Sequence, residues 1–331
     1  MKISIRHRMI LLALPLFILN VSARNSFVGG SAAELRAWQE RTRPQLREML
    51  FNGPGPEASA LAPEWGREES RPDYVLREVT FTDRPGHKTH GWLARPRSPR
   101  AARLPAVISL HGHGATALNT FDPEGMYLYG DRLARQGSLG LALDIGHDFI
   151  DLDRNLQTPF LPKNVPFPYA GQKVWMAMRG IDLLQSLPDA DPDAIGIVGL
   201  SNGGFTSLFT AAVDTRIKLT VAAGSLIMHD RMWRRELVHC RCQYLEGFDG
   251  KLDYYDLAAL VAPRALLFQS GIKDPIFPIN SARRAFGYAR ESYELLGAPD
   301  RIGHDIHPGP HVFIPRVPLE WFNRFLPIAG K

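Results

Sequence analysis

One stretch limits what this chain can fold into more than any other: Gly199-Leu200-Ser201-Asn202-Gly203-Gly204. Before it lies the apolar run Ala194-Ile195-Gly196-Ile197-Val198, which reads as a buried strand. After it, Phe205 to Ala212 carries a helical pattern. A G-x-S-x-G pattern between strand and helix predicts a sharp, strained turn with the serine at its apex. The flanking glycines leave room for backbones that approach closely. The bare pattern is common, and the alternative is an ordinary glycine-rich turn; the strand and helix on either side favour the strained form. A turn of this kind needs three further parts: an oxyanion-binding loop upstream, then an acid and a histidine downstream.

Strands and helices alternate on both sides of this turn. Ser31 to Glu34 has the form of a capping box and opens a helix to about Leu50, interrupted or bent near Pro44. The stretch from there to Arg71 is polar and turn-rich and is expected to lie on the surface. Tyr74 to Phe81 and Thr89 to Ala94 read as antiparallel strands joined by the turn Asp83 to Gly86. Leu104 to Leu110, Leu139 to Ile145, Ile217 to Ala222 and Ala265 to Ser270 are apolar enough for buried strands. Helical patterns cover Tyr127 to Arg135, Gln172 to Leu187, Ile279 to Leu296 and Pro318 to Leu326. The alternation predicts an α/β fold with a mostly parallel central sheet and helices on both faces. The 331 residues suffice for one large core, and no internal repeat divides them. The expected division is 1–23 as a signal peptide, 24–72 as an N-terminal helix and surface segment, and 73–331 as the catalytic domain.

The first residues read as an export signal. Lys2, Arg6 and Arg8 precede an apolar run from Met9 to Val21, and Val21-Ser22-Ala23 places small residues where a signal peptidase cuts. The run is short for a membrane span. Secreted or periplasmic placement is expected, with no stable span after cleavage; an uncleaved anchor is the alternative. The formal charge of +5 loses three positive residues with this segment, leaving about +2. No basic tail or zinc-finger spacing accompanies that charge, so nucleic acid is not an expected partner. The two cysteines, Cys240 and Cys242, can be thiols or a small strained bridge. Metal binding by these two alone is not expected, since no further thiolate exists and no neighbouring histidine spacing completes a site.

The parts the turn requires are present. His111-Gly112-His113-Gly114 follows a strand upstream of the serine. An oxyanion hole needs two donors aimed at developing negative charge. The backbone N–H groups of Asn202 and His113 are the candidates, with Gly114 as the alternative to His113. The His111 side chain can hydrogen-bond the backbone of its own loop. Asp274, just after the strand through Leu266 to Gln269, is the candidate acid. His311, before the final helix, is the candidate base; His304 and His307 are its rivals. Nucleophile, acid, histidine is a chain order distinct from those of chymotrypsin and subtilisin.

On these residues the chain resembles α/β-hydrolases of the dienelactone-hydrolase and acetyl-xylan-esterase broad group. The likeness runs from the strands near Tyr74 to the final helix near Trp321. It is carried by His111-Gly112, Gly180-Ile181-Asp182, Asp191 to Ile197, the serine turn, Leu260-Val261-Ala262-Pro263-Arg264, Asp274 and His311. The dienelactone hydrolases proper use cysteine where this chain has Ser201. The resemblance therefore implies a serine esterase working through an acyl-enzyme, with no metal or organic cofactor required. Its expected substrate is a small-molecule or carbohydrate ester, acetyl or related. Prolyl-oligopeptidase-type peptidases share the turn and the Ala262-Pro263-Arg264 region, but no β-propeller pattern precedes the domain. A non-enzymatic binding protein on a hydrolase scaffold is the reading from a different class. Phe160, Phe167, Tyr169 and Trp175 could line a carbohydrate groove or pack a loop on the core. His229, Arg231, Arg234 and Arg235 could meet an acidic sugar or remain solvated.

Overall fold

Apolar runs in the middle of the chain become the innermost strands of a nine-stranded sheet. Its order is β1-β2-β3-β5-β4-β6-β7-β8-β9. The computed structural model describes residues 26–27, 29–146, 167–232, 237 and 239–328. The strands are β1 Glu64–Ser70, β2 Tyr74–Arg84, β3 His87–Pro96, β4 Leu104–Leu110, β5 Leu139–Leu143, β6 Ala190–Leu200, β7 Ile217–Ala223, β8 Ala265–Gly271 and β9 Ile302–His307. The helices are α1 Ala32–Phe51, α2 Tyr129–Gln136, α3 Tyr169–Ser186, α4 Asn202–Val213, α5 His229–Met232, α6 Tyr254–Val261, α7 Ile279–Leu295 and α8 Arg316–Phe325. The signal segment Met1 to Ala23, Phe160, Arg234 and Arg235 lie outside the described residues. Among the described residues no helix is long and apolar enough to cross a membrane.

β1, β2, β3 and β5 pair antiparallel, and β5 through β9 pair parallel. Every residue of β4, β5 and β8 is buried, because helices cover both faces of this region. β4 pairs β5 on one side and β6 on the other. The direction of winding therefore reverses at β4, and crevices at such switch points receive ligands beyond the C-terminal strand ends. Leu110 stands opposite Gly199 in that pairing, so the β4 loop and the serine turn emerge side by side.

Two strands escape a reading by hydrophobic pattern, and both are sheet edges. Glu64–Ser70 was expected to lie as polar surface but pairs with β2. The sheet therefore begins before residue 73. β1 consists of Glu, Trp, Gly, Arg, Glu, Glu and Ser, and charges of this kind protect an edge from pairing with other chains. β9, with His304 and Asp305 at its middle, closes the opposite edge against β8.

α1 runs unbroken through Pro44. Ser31 and Glu34 form the capping box at its start, an arrangement worth about 1 kcal/mol. Gln39 Nε2 donates to the carbonyls of Ala259 and Ala262 at 2.6 and 2.8 Å, and Arg43 donates to that of Leu260 at 2.9 Å. These are carbonyls at the C-terminal end of α6, which lack acceptor bonds within their own helix. With Leu35, Leu46 and Leu50 fully buried, α1 is part of the core.

On β9, His304 Nε2 lies 2.9 Å from Ser270 Oγ, and the ring packs on Phe286. Burial pushes its pKa down to about 4, with the nearby Arg283 adding to the shift. The folded pKa is below the unfolded value of about 6.5, so this stabilisation is present above pH 6.5 and lost as pH falls toward 4. Removing the titrating group should flatten that loss. Between pH 7.5 and pH 5, His304→Phe should lose about 2 kcal/mol less unfolding free energy than the wild type. Urea unfolding at both pH values measures the difference; equal losses would show that His304 does not carry the penalty.

Candidate active site

The serine turn has the strained geometry its glycines imply. Ser201 has φ 61° and ψ −119°, a region that costs a non-glycine residue about 1–3 kcal/mol. The surrounding backbone holds it there. Ser201 N–H donates to Ala223 O at 2.9 Å, and Phe205 N–H donates to Ser201 O at 3.0 Å. Gly203 permits the packing: a Cβ there would lie 1.9 Å from the carbonyl oxygen of Leu110 at the end of β4. Asn202 opens α4 directly after the serine. Its N–H is one of the first four of that helix, which have no acceptor within it.

Asp274 and His311 come from different loops and meet. Asp274 lies in the loop after β8 with its side chain 1% exposed. Its Oδ1 accepts from the N–H groups of Ile276 and Phe277, both at 3.0 Å. Its Oδ2 faces His311 Nδ1 at 2.6 Å. A carboxylate only accepts, so His311 carries its proton on Nδ1 and presents a lone pair at Nε2. That Nε2 is buried and has no hydrogen-bond partner among the described residues. Phe277 stacks on the ring at 5.5 Å with planes 18° apart. Gly224 gives the imidazole its place, since a Cβ there would sit 2.7 Å from His311 Cε1, and its φ is +51°. Ala223, which accepts from Ser201, adjoins Gly224, so one short backbone segment separates Ser201 from the imidazole.

The rival histidines are engaged elsewhere. His304 faces Ser270, and His307 Nδ1 accepts from Gly309 N–H at 3.2 Å. His111 is fully buried. Its Nδ1 donates to Gly112 O at 2.7 Å, and its Nε2 accepts from Ile145 N–H at 3.1 Å. Desolvation lowers its pKa, so it acts as a neutral brace for the loop after β4.

A small pocket opens at the serine, lined by His113, Ser201, Asn202, Met232, His239, Cys240, Gln243 and Phe277 among others. Three side chains in or behind it were given no part in the chemistry from the sequence. Burial pushes the His239 pKa down to about 4, so its imidazole is neutral at ordinary pH. Lys173 on α3 is 3% exposed and donates to Asn202 Oδ1 at 2.6 Å. Gln243 Nε2 donates to the same oxygen. These bonds orient the side chain of Asn202, the residue after Ser201. The one sequence signal for Lys173 is a lysine among the buried residues of α3, Gln172 to Trp175.

Several proposed groove residues instead pack inside. Trp175 is buried, donates from Nε1 to Asp83 O at 2.9 Å, and meets Phe51 edge-on. Phe167 is buried and also meets Phe51 edge-on. Their apolar area is satisfied by α1, which leaves no groove face to either. Tyr169, the first residue of α3, is half-buried. His229 packs between Phe248 and Tyr254, with Nδ1 3.2 Å from Asp249. Arg231 does face a cavity, shared with Arg284, Asp230 and Asn280. It adjoins the serine pocket along the chain, since Met232 and Phe277 line one while Arg231 and Pro278 line the other.

No family model matches the chain. YtaP of Bacillus subtilis, a protein assigned to the hydrolases, is 25% identical over 272 residues, 78% of this chain and 90% of that protein. A 4-O-methyl-glucuronoyl methylesterase of Schizophyllum commune is 30% identical over 156 residues, 40% of each chain. The match thus spans less than half the length of that relative. Among solved structures, a glucuronoyl esterase from Solibacter usitatus superposes with TM-score 0.69 at 15% identity, covering 89% of this chain and 94% of that one. An acetyl xylan esterase from Paenibacillus sp. R4 gives TM-score 0.59 at 17% identity, covering 91% and 98%. The sheet order, the strained serine turn and these likenesses agree: the chain has the α/β-hydrolase fold, in a form related to that of the acetyl-xylan and glucuronoyl esterases.

Proposed function

We propose that this chain is an exported serine hydrolase that cleaves carboxylic esters on carbohydrate. The observation that carries the reading is the 2.6 Å Asp274–His311 pair beside a serine held at positive φ. His311 Nε2 takes the Ser201 proton as Oγ attacks the ester carbonyl. Asp274 fixes the tautomer and stabilises the imidazolium that forms. The N–H groups of Asn202 and His113 receive the oxyanion. The imidazolium then protonates the leaving alcohol, leaving an acyl-serine. Water, deprotonated by the same imidazole, releases the acid and restores Ser201.

The carbohydrate part of the reading is supported by what the relatives are named for, acetyl xylan and glucuronoyl esters. An anionic polysaccharide would find Arg231 and Arg284 in the adjoining cavity. Export is supported by the signal-like segment from Lys2 to Ala23.

The test is a substrate panel of short acyl esters, acetylated xylan, a glucuronate methyl ester and an aminoacyl amide, each with Ser201→Ala as control. Serine-dependent turnover of a carbohydrate ester is expected. Faster serine-dependent turnover of the amide would make the chain a peptidase. No turnover, with no fluorophosphonate labelling, would make it a binding protein on this scaffold.

A further inference from the structure

His239 adjoins Cys240 in sequence, but the histidine whose ring reaches both sulfurs comes from a distant loop. His113 Nε2 lies 3.1 Å from Cys242 Sγ, across 129 residues of chain. The ligand atoms of His113, Cys240 and Cys242 all lie within 4.8 Å of one another. Metal–sulfur bonds of about 2.3 Å and metal–nitrogen bonds of about 2.0 Å set ligand atoms roughly 3.5–4 Å apart, so small side-chain rotations close a shell here. The group is graded in exposure: Cys242 buried, Cys240 half-buried, His113 exposed. An ion can therefore enter from the solvent side and rest on a closed inner wall.

Charge and ligand number narrow the ion. Thiolate with imidazole is a soft donor set, suited to Cu(I) and Zn(II). Each thiol releases its proton to solvent as its metal–sulfur bond forms. Lys173 Nζ stands 3.4 Å from Cys242 Sγ, so two thiolates beside it leave one negative charge for a monovalent ion to neutralise. Zn(II) would need a water as its fourth ligand beside the three that the group holds among the described residues, whereas Cu(I) is satisfied by three. We propose that His113, Cys240 and Cys242 form a three-coordinate site for a soft d10 cation, Cu(I) in preference to Zn(II), on the wall of the Ser201 pocket.

The site has a consequence for turnover. His113 belongs to the loop after β4, whereas Cys240 and Cys242 belong to the segment between β7 and β8. An ion bound to all three ties these segments together across the pocket that contains Ser201 and Asn202. Ester turnover should then fall as the site fills; this clause rests on the esterase reading, and the site itself does not.

The experiment uses the full chain, reduced and desalted without oxygen, titrated against Cu(I) held by bathocuproine disulfonate. Loss of the chelator complex's colour should report one equivalent transferred. Cys240→Ser should weaken binding by at least about tenfold. In metal-free buffer the same variant should keep the wild-type thermal midpoint and circular dichroism spectrum, which shows that it folds. No transfer from the chelator, or equal affinity in wild type and Cys240→Ser, would overturn the site. One equivalent of Zn(II) bound where Cu(I) is not would overturn the choice of ion. Cysteines already joined in a disulfide in the protein isolated from its own compartment would overturn it too. Copper transfer to a chain that turns over no ester would sustain the site and count against the esterase reading instead.

Discussion

Ser201→Ala should lower kcat/KM for a short acyl ester by about 10⁴- to 10⁶-fold, leaving only what binding and oxyanion donors supply. The change removes one oxygen at the apex of a turn whose shape is set by other groups. The bond to Ala223 O, the close approach of Gly203 to Leu110 and the start of α4 do not involve the hydroxyl. Alanine must adopt the same φ of 61°, and serine already bears that strain, so stability should be close to unchanged. The measurements are steady-state turnover, fluorophosphonate labelling and thermal unfolding of both proteins. Turnover within tenfold of wild type would place the nucleophile elsewhere. A large loss accompanied by unfolding would say that the hydroxyl braces the turn.

Asp274→Asn should cost about 10³- to 10⁴-fold in kcat while leaving the loop in place. Asparagine Oδ1 can still accept from Ile276 and Phe277 as the carboxylate does. Its other atom is then an NH₂ group facing His311 Nδ1, where Oδ2 now stands at 2.6 Å. An amide nitrogen donates, so the imidazole must turn its lone pair to Nδ1 and its proton to Nε2. In that tautomer it cannot take the serine proton. KM for a small ester should change little, because Asp274 is buried behind the imidazole. The split between kcat and KM, with circular dichroism as a check on folding, decides the point. A loss below tenfold would mean that stacking on Phe277 suffices to orient His311.

The features legible in the chain are those set by neighbouring residues. The serine turn, its strand and its helix occupy fewer than thirty consecutive positions, and glycine is needed there for local steric reasons. The inner strands declare themselves because strands buried on both faces must be apolar throughout. The edge strands β1 and β9 do not, because backbone pairing holds them while their side chains remain polar. Trp175 and Phe167 show the same limit from the other side. An aromatic that fills a core and one that lines a groove have the same local sequence, and only the position of α1 separates them.

By itself, then, the sequence determined the fold class and the strained turn at Ser201, and it named Asp274 and His311 as candidates, because each depends on local chain geometry or on burial patterns that repeat along an element. The tertiary structure decided which histidine meets Asp274: His304, His307 and His311 lie within eight residues, and only the path of the chain past β9 brings His311 to the carboxylate. It also set Lys173 behind Asn202 and gathered His113, Cys240 and Cys242. Those groupings join segments far apart in the chain, and packing, rather than any spacing along the sequence, determines which side chains share a few ångströms of space.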